Sequence, residues 1–240
     1  MERPDWKHLM QRVTWKHIVA VNVVFLVLVL GGFYLWKSVG GSYSYKKHVE
    51  KGYSYLKQEK WGAAAEEFSK ASKIRPENFD HHYGIGAAFL KLRHLDRAAM
   101  ALENAIRINP ESIGAHYSLG IAYHRMSKFD LAMREYREVL RLDPQSFQVY
   151  NSIGGIYYVQ KKYDDALAMY RKILEIKPDY FFAYLNIGVA YEAMGKRQDA
   201  IKAYKEVITK VEQSAGDKRF ITEAERRLAK LNGKKVASKK

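Results

Sequence analysis

Four prolines, Pro76, Pro110, Pro144 and Pro178, stand 34 residues apart in a chain that contains only five. Proline cannot continue a helix, and it drives the residue before it into extended backbone, so prolines at a fixed interval act as a repeated stop signal. A period of this length implies one supersecondary unit copied along the chain, each copy unable to bury its apolar face alone. Aligning on the prolines divides the sequence into blocks 45–78, 79–112, 113–146, 147–180 and 181–214. The eighth place of every block is glycine (Gly52, Gly86, Gly120, Gly154, Gly188), and the twentieth is alanine (Ala64, Ala98, Ala132, Ala166, Ala200). The eleventh is always a ring (Tyr55, Phe89, Tyr123, Tyr157, Tyr191), and the twenty-fourth is Phe68, Leu102, Tyr136, Tyr170 or Tyr204.

These columns predict two antiparallel helices per block. Glycine and alanine let the helices approach closely, while large residues at places 4, 7, 11 and 24 fill the space between them. Polar runs such as QEKW (58–61), MSKF (126–129) and QKKY (160–163) make the turn within a block, and the proline at place 32 ends its second helix. In this small-large pattern and this proline the chain resembles the tetratricopeptide repeat (TPR) family. The resemblance implies an all-α, right-handed superhelix of five helix-turn-helix repeats over 45–214. The fifth block departs from the motif, with Glu212 in the proline position, so its second helix is expected to run on toward Gly216. Residues 217–231 then place Phe220, Ile221, Ala224, Leu228 and Leu231 on one helical face, which suits a capping helix over the last block.

Ahead of the blocks lies a segment of different character. Ile18 to Trp36 is nineteen residues with no charge and one strongly polar side chain, Asn22. As a helix it would be about 28 Å long, close to the roughly 30 Å hydrocarbon core of a bilayer. Trp15, Tyr34 and Trp36 sit where interfacial rings belong, and Lys16 and Lys37 bracket the run, so 18–36 is read as a single transmembrane helix. A cleaved signal peptide fits less well, because the run is too long and no A-x-A site follows. Residues 1–17 form a short basic tail and 37–44 a linker. Basic residues nearly balance across the segment, so orientation is assigned by analogy with signal anchors: N-terminus in the cytosol, repeats in the periplasm of a bacterial inner membrane. Asn22 could hydrogen-bond to another transmembrane helix or to its own backbone.

The net charge of +15 is unevenly spread: +3 over 1–42, +6 over 43–215 and +6 over 216–240. A repeat region carrying only +6 gives no nucleic-acid footprint, and no nucleic-acid partner is expected. The tail 232–240 is read either as a disordered solubilising end or as an electrostatic contact to anionic lipid or an acidic partner.

Catalytic and cofactor signatures are missing from the sequence. With no cysteine there is no disulfide, thiolate nucleophile or Cys-ligated zinc, and no Walker loop, G-x-S-x-G or HExxH occurs. No enzyme activity, cofactor or metal is expected. His48, His82 and His116 recur at place 4, but equivalent places on stacked helices lie roughly 8–10 Å apart, whereas donors to one zinc sit about 2 Å from it. Tyr150 and Tyr184 take the same place in later blocks, so the histidines are read as filling an aromatic-sized packing slot. The neighbours His81 and His82 face different ways and are not a ligand pair.

The TPR resemblance implies that the first helices line a concave groove that takes an extended or helical segment of a protein partner. Carried onto this sequence, the groove residues are Tyr53 in block one, Tyr83 and Leu90 in block two, and Tyr117, Ile121, His124 and Arg125 in block three. Asn151 and Tyr158 follow in block four, and Phe182 and Leu185 in block five. These rings could equally pack between adjacent first helices. The clamp by which some TPR proteins hold a chaperone's terminal carboxylate is not matched: its places hold Val49, Tyr53 and Gly84, or Tyr83, Ala87 and Ser118. The anchored architecture looks like that of TPR subunits in bacterial envelope assembly, such as those delivering apocytochromes for maturation. The function expected is a membrane-anchored scaffold or assembly factor. An accessory subunit that presents substrate to a membrane enzyme, or a self-assembling array, are the alternatives.

Overall fold

The computed structural model describes residues 42–214 and 216–233, which form eleven helices joined by short turns. The first helices of the five blocks are α1 (42–57), α3 (Phe79–Lys91), α5 (Ile113–Arg125), α7 (Phe147–Val159) and α9 (Phe181–Ala193). The second helices are α2 (Trp61–Ile74), α4 (Leu95–Ile108), α6 (Phe129–Leu142), α8 (Tyr163–Ile176) and α10 (Arg197–Gln213), and α11 (Arg219–Leu231) closes the series. Residues 42–44, assigned to a linker from the sequence, are already helical. The apolar segment 18–36 with Asn22, and tail residues 234–240, lie outside the described residues; no helix among those described is long and apolar enough to cross a membrane.

Every first helix ends in the same way. Place 15 is left-handed in all five blocks, with φ of 56° at Glu59, 61° at Arg93 and Lys161, 59° at Ser127 and 70° at Gly195. The next residue's N–H then reaches back to the place-11 carbonyl, as from Lys128 to Tyr123 at 2.9 Å and from Lys196 to Tyr191 at 3.0 Å. This closing bond satisfies a helix-end carbonyl and reverses the chain. Second helices stop by other means. Arg75, Asn109, Asp143 and Lys177 hold φ between −131° and −138°, the extended backbone that a following proline imposes. Where Glu212 replaces the proline, α10 continues for 17 residues instead of 14.

The glycine column is explained by direct approach to place 24. A Cβ on Gly86 would lie 2.5 Å from Leu102, and one on Gly154 would lie 2.6 Å from Tyr170, so the large residue occupies the volume that the glycine vacates. The place-24 side chains Phe68, Leu102, Tyr136 and Tyr204 are fully buried. Successive blocks stack a second helix onto the next first helix, and buried side chains run through clusters shared by neighbouring blocks. The junction of α6 with α7 is the widest of these stacks. Val149 and Ile156 fill the places held by Ala115 and Ala122, or Ala183 and Ala190, at other junctions, and all six are buried. Larger side chains hold the two helix axes farther apart.

Place 4 does more than fill space. His82 Nε2 donates to the Pro76 carbonyl at 2.7 Å, His116 Nε2 to that of Pro110 at 2.8 Å, and the Tyr150 hydroxyl to that of Pro144 at 3.2 Å. In blocks two to four the slot therefore takes a ring with a donor at its tip, which ties the block to the stop signal before it. In blocks one and three the histidine also meets a carboxylate, His48 with Glu67 and His116 with Glu135, both at 2.7 Å. Those two blocks alone carry glutamate at place 23; the others have Ala101, Met169 and Ala203.

Helix α11 covers the end of the array. Ala224 is fully buried against block five, and Phe220 packs 5.7 Å from Phe181. Arg227 reaches Glu192 at 3.0 Å, and Lys230 reaches the other carboxylate oxygen at 3.2 Å. Arg227 follows Glu192 by 35 residues, just as Arg125 follows Leu90, the residue whose carbonyl it binds. The cap thus stands where the first helix of a sixth block would stand.

Candidate partner-binding groove

Consecutive first helices touch one another directly, α3 with α5, α5 with α7 and α9 with α11, and consecutive second helices do not approach to the same extent. The first helices therefore line the inner side of the curve. A hydrogen bond from Asn186 Nδ2 to Asn151 Oδ1, 3.1 Å, crosses the same inner seam between α7 and α9.

The residues expected to face a partner differ in how far the structure exposes them. Tyr53 and Phe182 are exposed, 46% and 50%, and each still uses a ring edge: Tyr53 against Phe68 at 5.2 Å and Phe182 against Phe220 at 4.7 Å. Tyr158, Leu185 and Asn151 are half-buried, with Tyr158 tilted against Tyr163 at 5.5 Å. The amide ends that Asn151 and Asn186 do not use on each other, one N–H₂ and one carbonyl, make no other hydrogen bond among the described residues.

Tyr83, Tyr117 and Ile121 are half-buried as well, and each packs on the framework. Tyr83 stacks on Phe79 at 5.5 Å with its hydroxyl against Gly114, and Tyr117 packs on Tyr136 at 6.1 Å. Ile121 packs against the cluster that holds Leu102 and Leu119. Leu90, expected in the groove, is a core side chain at 9% exposure within that cluster. It shares that cluster with Ala98 and Ala99 of the helix that follows, whereas Tyr158, at the same place of block four, stays half-buried.

Arg125 donates to the Leu90 carbonyl at 3.2 Å, so one end of its guanidinium closes the C-terminus of α3. His124 lies edge-on to Phe129 at 5.9 Å; burial, and then the cation on Arg125, push its imidazole below the ordinary histidine range. It stands neutral near neutral pH, and the groove gains no charge from it.

One contributor escapes the sequence reading. Phe220 of the cap joins Phe182 and Leu185 around a cavity of about 320 Å³, with Asp217, Arg219 and Glu223 at its rim. The rim charges are matched internally, Arg219 by Asp217 and Glu223 by Arg226 and Arg227. The signal is the phenylalanine on the apolar face of 217–231, which the spacing assigns to capping alone. Among the described residues no group of three or more His, Asp or Glu side chains could hold a metal ion.

Comparison with known proteins agrees with this architecture. Tetratricopeptide repeat profiles match residues 52–92, 113–146 and 145–213, together more than half of the chain. No curated protein matches the sequence. Among solved structures, one of MamA protein superposes with a TM-score of 0.67 at 24% identity, covering 72% of this chain and 94% of that one. A second MamA structure gives 0.64 at 26% identity, covering 68% and 96%. MamA residues 41 to the end from Desulfovibrio magneticus RS-1 gives 0.66 at 16% identity, covering 71% and 96%. At these identities the likeness is one of fold. The period, the paired helices, the inner seam and the matched profiles agree: the chain belongs to the tetratricopeptide repeat family.

Proposed function

We propose that this protein is a membrane-anchored, non-catalytic scaffold that captures a segment of another protein on the inner face of its repeats, in the assembly of a membrane or envelope complex. One observation carries the binding part. On the inner side, Tyr158 and Phe182 flank the spare amide groups of Asn151 and Asn186 in blocks four and five, and Tyr53 exposes a further ring in block one. Rings supply contact area at small entropic cost, and a paired donor and acceptor suit the backbone of an extended segment. The anchor rests on the uncharged run 18–36; translocated repeats are what reading that run as a signal anchor favours, and the bacterial inner membrane is taken from the likeness to TPR subunits of bacterial envelope assembly.

The test uses the full chain in mild detergent with a photo-crosslinking residue at position 155, beside the groove. A defined adduct is expected, and it should be lost when Tyr53, Tyr158 and Phe182 are replaced by glutamine while helical content stays unchanged. Capture that persists in the folded triple variant would place the binding surface elsewhere. Tyr83 and Tyr117 are avoided because their packing would confuse lost binding with lost folding.

A further inference from the structure

In blocks two to five, the face of the first helix that stacks on the preceding block is built from three places. Place 3 is His81, Ala115, Val149 or Ala183, and place 10 is Ala88, Ala122, Ile156 or Ala190; all eight are buried. Place 7 is Ile85, Leu119, Ile153 or Ile187, each at least half-buried. Block one breaks this rule at every position. Its residues there are Lys47, Lys51 and Ser54, all exposed. They lie on one side of α1 with Tyr43, 73% exposed, and with Lys46, Glu50 and Lys57.

Glu50 pairs with Lys46 at 3.9 Å; no carboxylate among the described residues pairs with Lys47, Lys51 or Lys57. The stacking surface has thus been exchanged for a cationic one with a tyrosine at its edge. No further repeat can dock there, because the unpaired ammonium groups of Lys47 and Lys51 would have to be buried against an apolar helix with no counter-charge. The chain limits how far this helix can stand from the proposed anchor: the apolar run ends at residue 36 and α1 has begun by 42. Six residues reach at most about 21 Å when fully extended.

We propose that the outer face of α1, centred on Lys47 and Lys51 with Lys57 at its edge, rests on the anionic headgroup surface of the membrane that holds the anchor. The inference depends on the anchor proposed above. Lysines close to an anionic bilayer are attracted to its headgroups, and an interfacial tyrosine adds an amphipathic contact. Such docking would turn the first block toward the bilayer and hold the groove at a fixed attitude to it, where a flexible linker would let it wander.

Because the sequence has no cysteine, Ser54→Cys gives a single reactive thiol in the middle of this face. The full chain carrying it is reconstituted into nanodiscs of phosphatidylcholine, alone or with about 30% phosphatidylglycerol. Labelling by a membrane-impermeant maleimide is timed in each, beside a control thiol at Glu225→Cys on α11. With anionic lipid, labelling at position 54 should slow by about threefold or more and recover in high salt or with Lys47, Lys51 and Lys57 changed to glutamine, while the control does not move. Equal rates at position 54 in both lipids, with the chain retained in the discs, would overturn the docking and leave the anchor standing; an acidic protein would then be the better occupant. A chain found outside the discs would overturn both.

Discussion

At Ser127 the backbone holds φ at 59°, a conformation that costs an L side chain roughly 1–2 kcal/mol. The turn keeps it there because the closing bond from Lys128 to Tyr123 needs that reversal. Only block five places glycine at this position, Gly195. Ser127→Gly should relieve the strain while losing roughly 0.5–1 kcal/mol to the freer unfolded chain, a net gain of about 0.5 kcal/mol. Urea unfolding would show it as a higher midpoint at unchanged slope. A lower midpoint would mean that the serine makes a contact worth more than the strain. These turns also mark where sequence legibility ends. Glycine and alanine columns are readable because close packing leaves one choice of side chain. The left-handed place 15 is not, because Glu59, Arg93, Ser127 and Lys161 carry no common chemistry: the turn is imposed by the helices on either side. Leu90 is misplaced by the sequence for a related reason, since the place number gives an angular position on the helix and does not say which neighbours enclose the side chain there.

Among the elements, α11 is held by charge as much as by apolar contact. Burial alone would raise the Glu192 carboxyl, but hydrogen bonds from Tyr204, Lys230 and Arg227 outweigh it and hold it below the usual range. The Arg226 guanidinium, opposed by burial and joined by Arg227, brings Glu223 down to about 2. A carboxylate depressed in the folded state contributes stability that is complete above its unfolded value, about 4.3, and is lost as pH falls through the folded one. Amide exchange in α11, corrected for its intrinsic rate, should therefore accelerate between about pH 4.3 and pH 2, ahead of α3 to α5. Glu192→Gln should weaken protection of α11 already at neutral pH and flatten the acid dependence, leaving the share that belongs to Glu223. If α11 and the central helices open together in the variant, apolar packing of Phe220 and Ala224 holds the cap without help from the ion pairs. The extent of the cap, its apolar face and the long α10 are legible from Glu212 and the spacing of Phe220 to Leu231. The 35-residue link from Glu192 to Arg227 is not, because outside the proline register nothing in the sequence sets the offset of α11 against block five.

For the whole molecule, stability in a stacked array is close to a sum over blocks and the interfaces between neighbours, so the weakest interface decides whether the array opens as one unit or two. The junction of α6 with α7 is the place to look, because Val149 and Ile156 widen it and Tyr136 lies beneath with a buried hydroxyl that finds no partner among the described residues. Ile156→Ala restores the residue found at the α4–α5 and α8–α9 junctions, yet here the helices are set apart and cannot close without moving Val149 and Ile153 as well. The change should cost about 2–5 kcal/mol, the range for emptying a buried aliphatic site. Because that cost falls on one interface, it should uncouple blocks one to three from blocks four, five and the cap. Native-state exchange under rising denaturant would show α3–α5 and α8–α10 opening at separate concentrations in the variant and nearer together in the parent. A common shift of both halves would mean that the interfaces are strong enough to transmit the loss along the whole array. The distinction bears on the groove directly, since Tyr53 and Tyr158 stand on opposite sides of this junction and a partner spanning both would have to hold it closed.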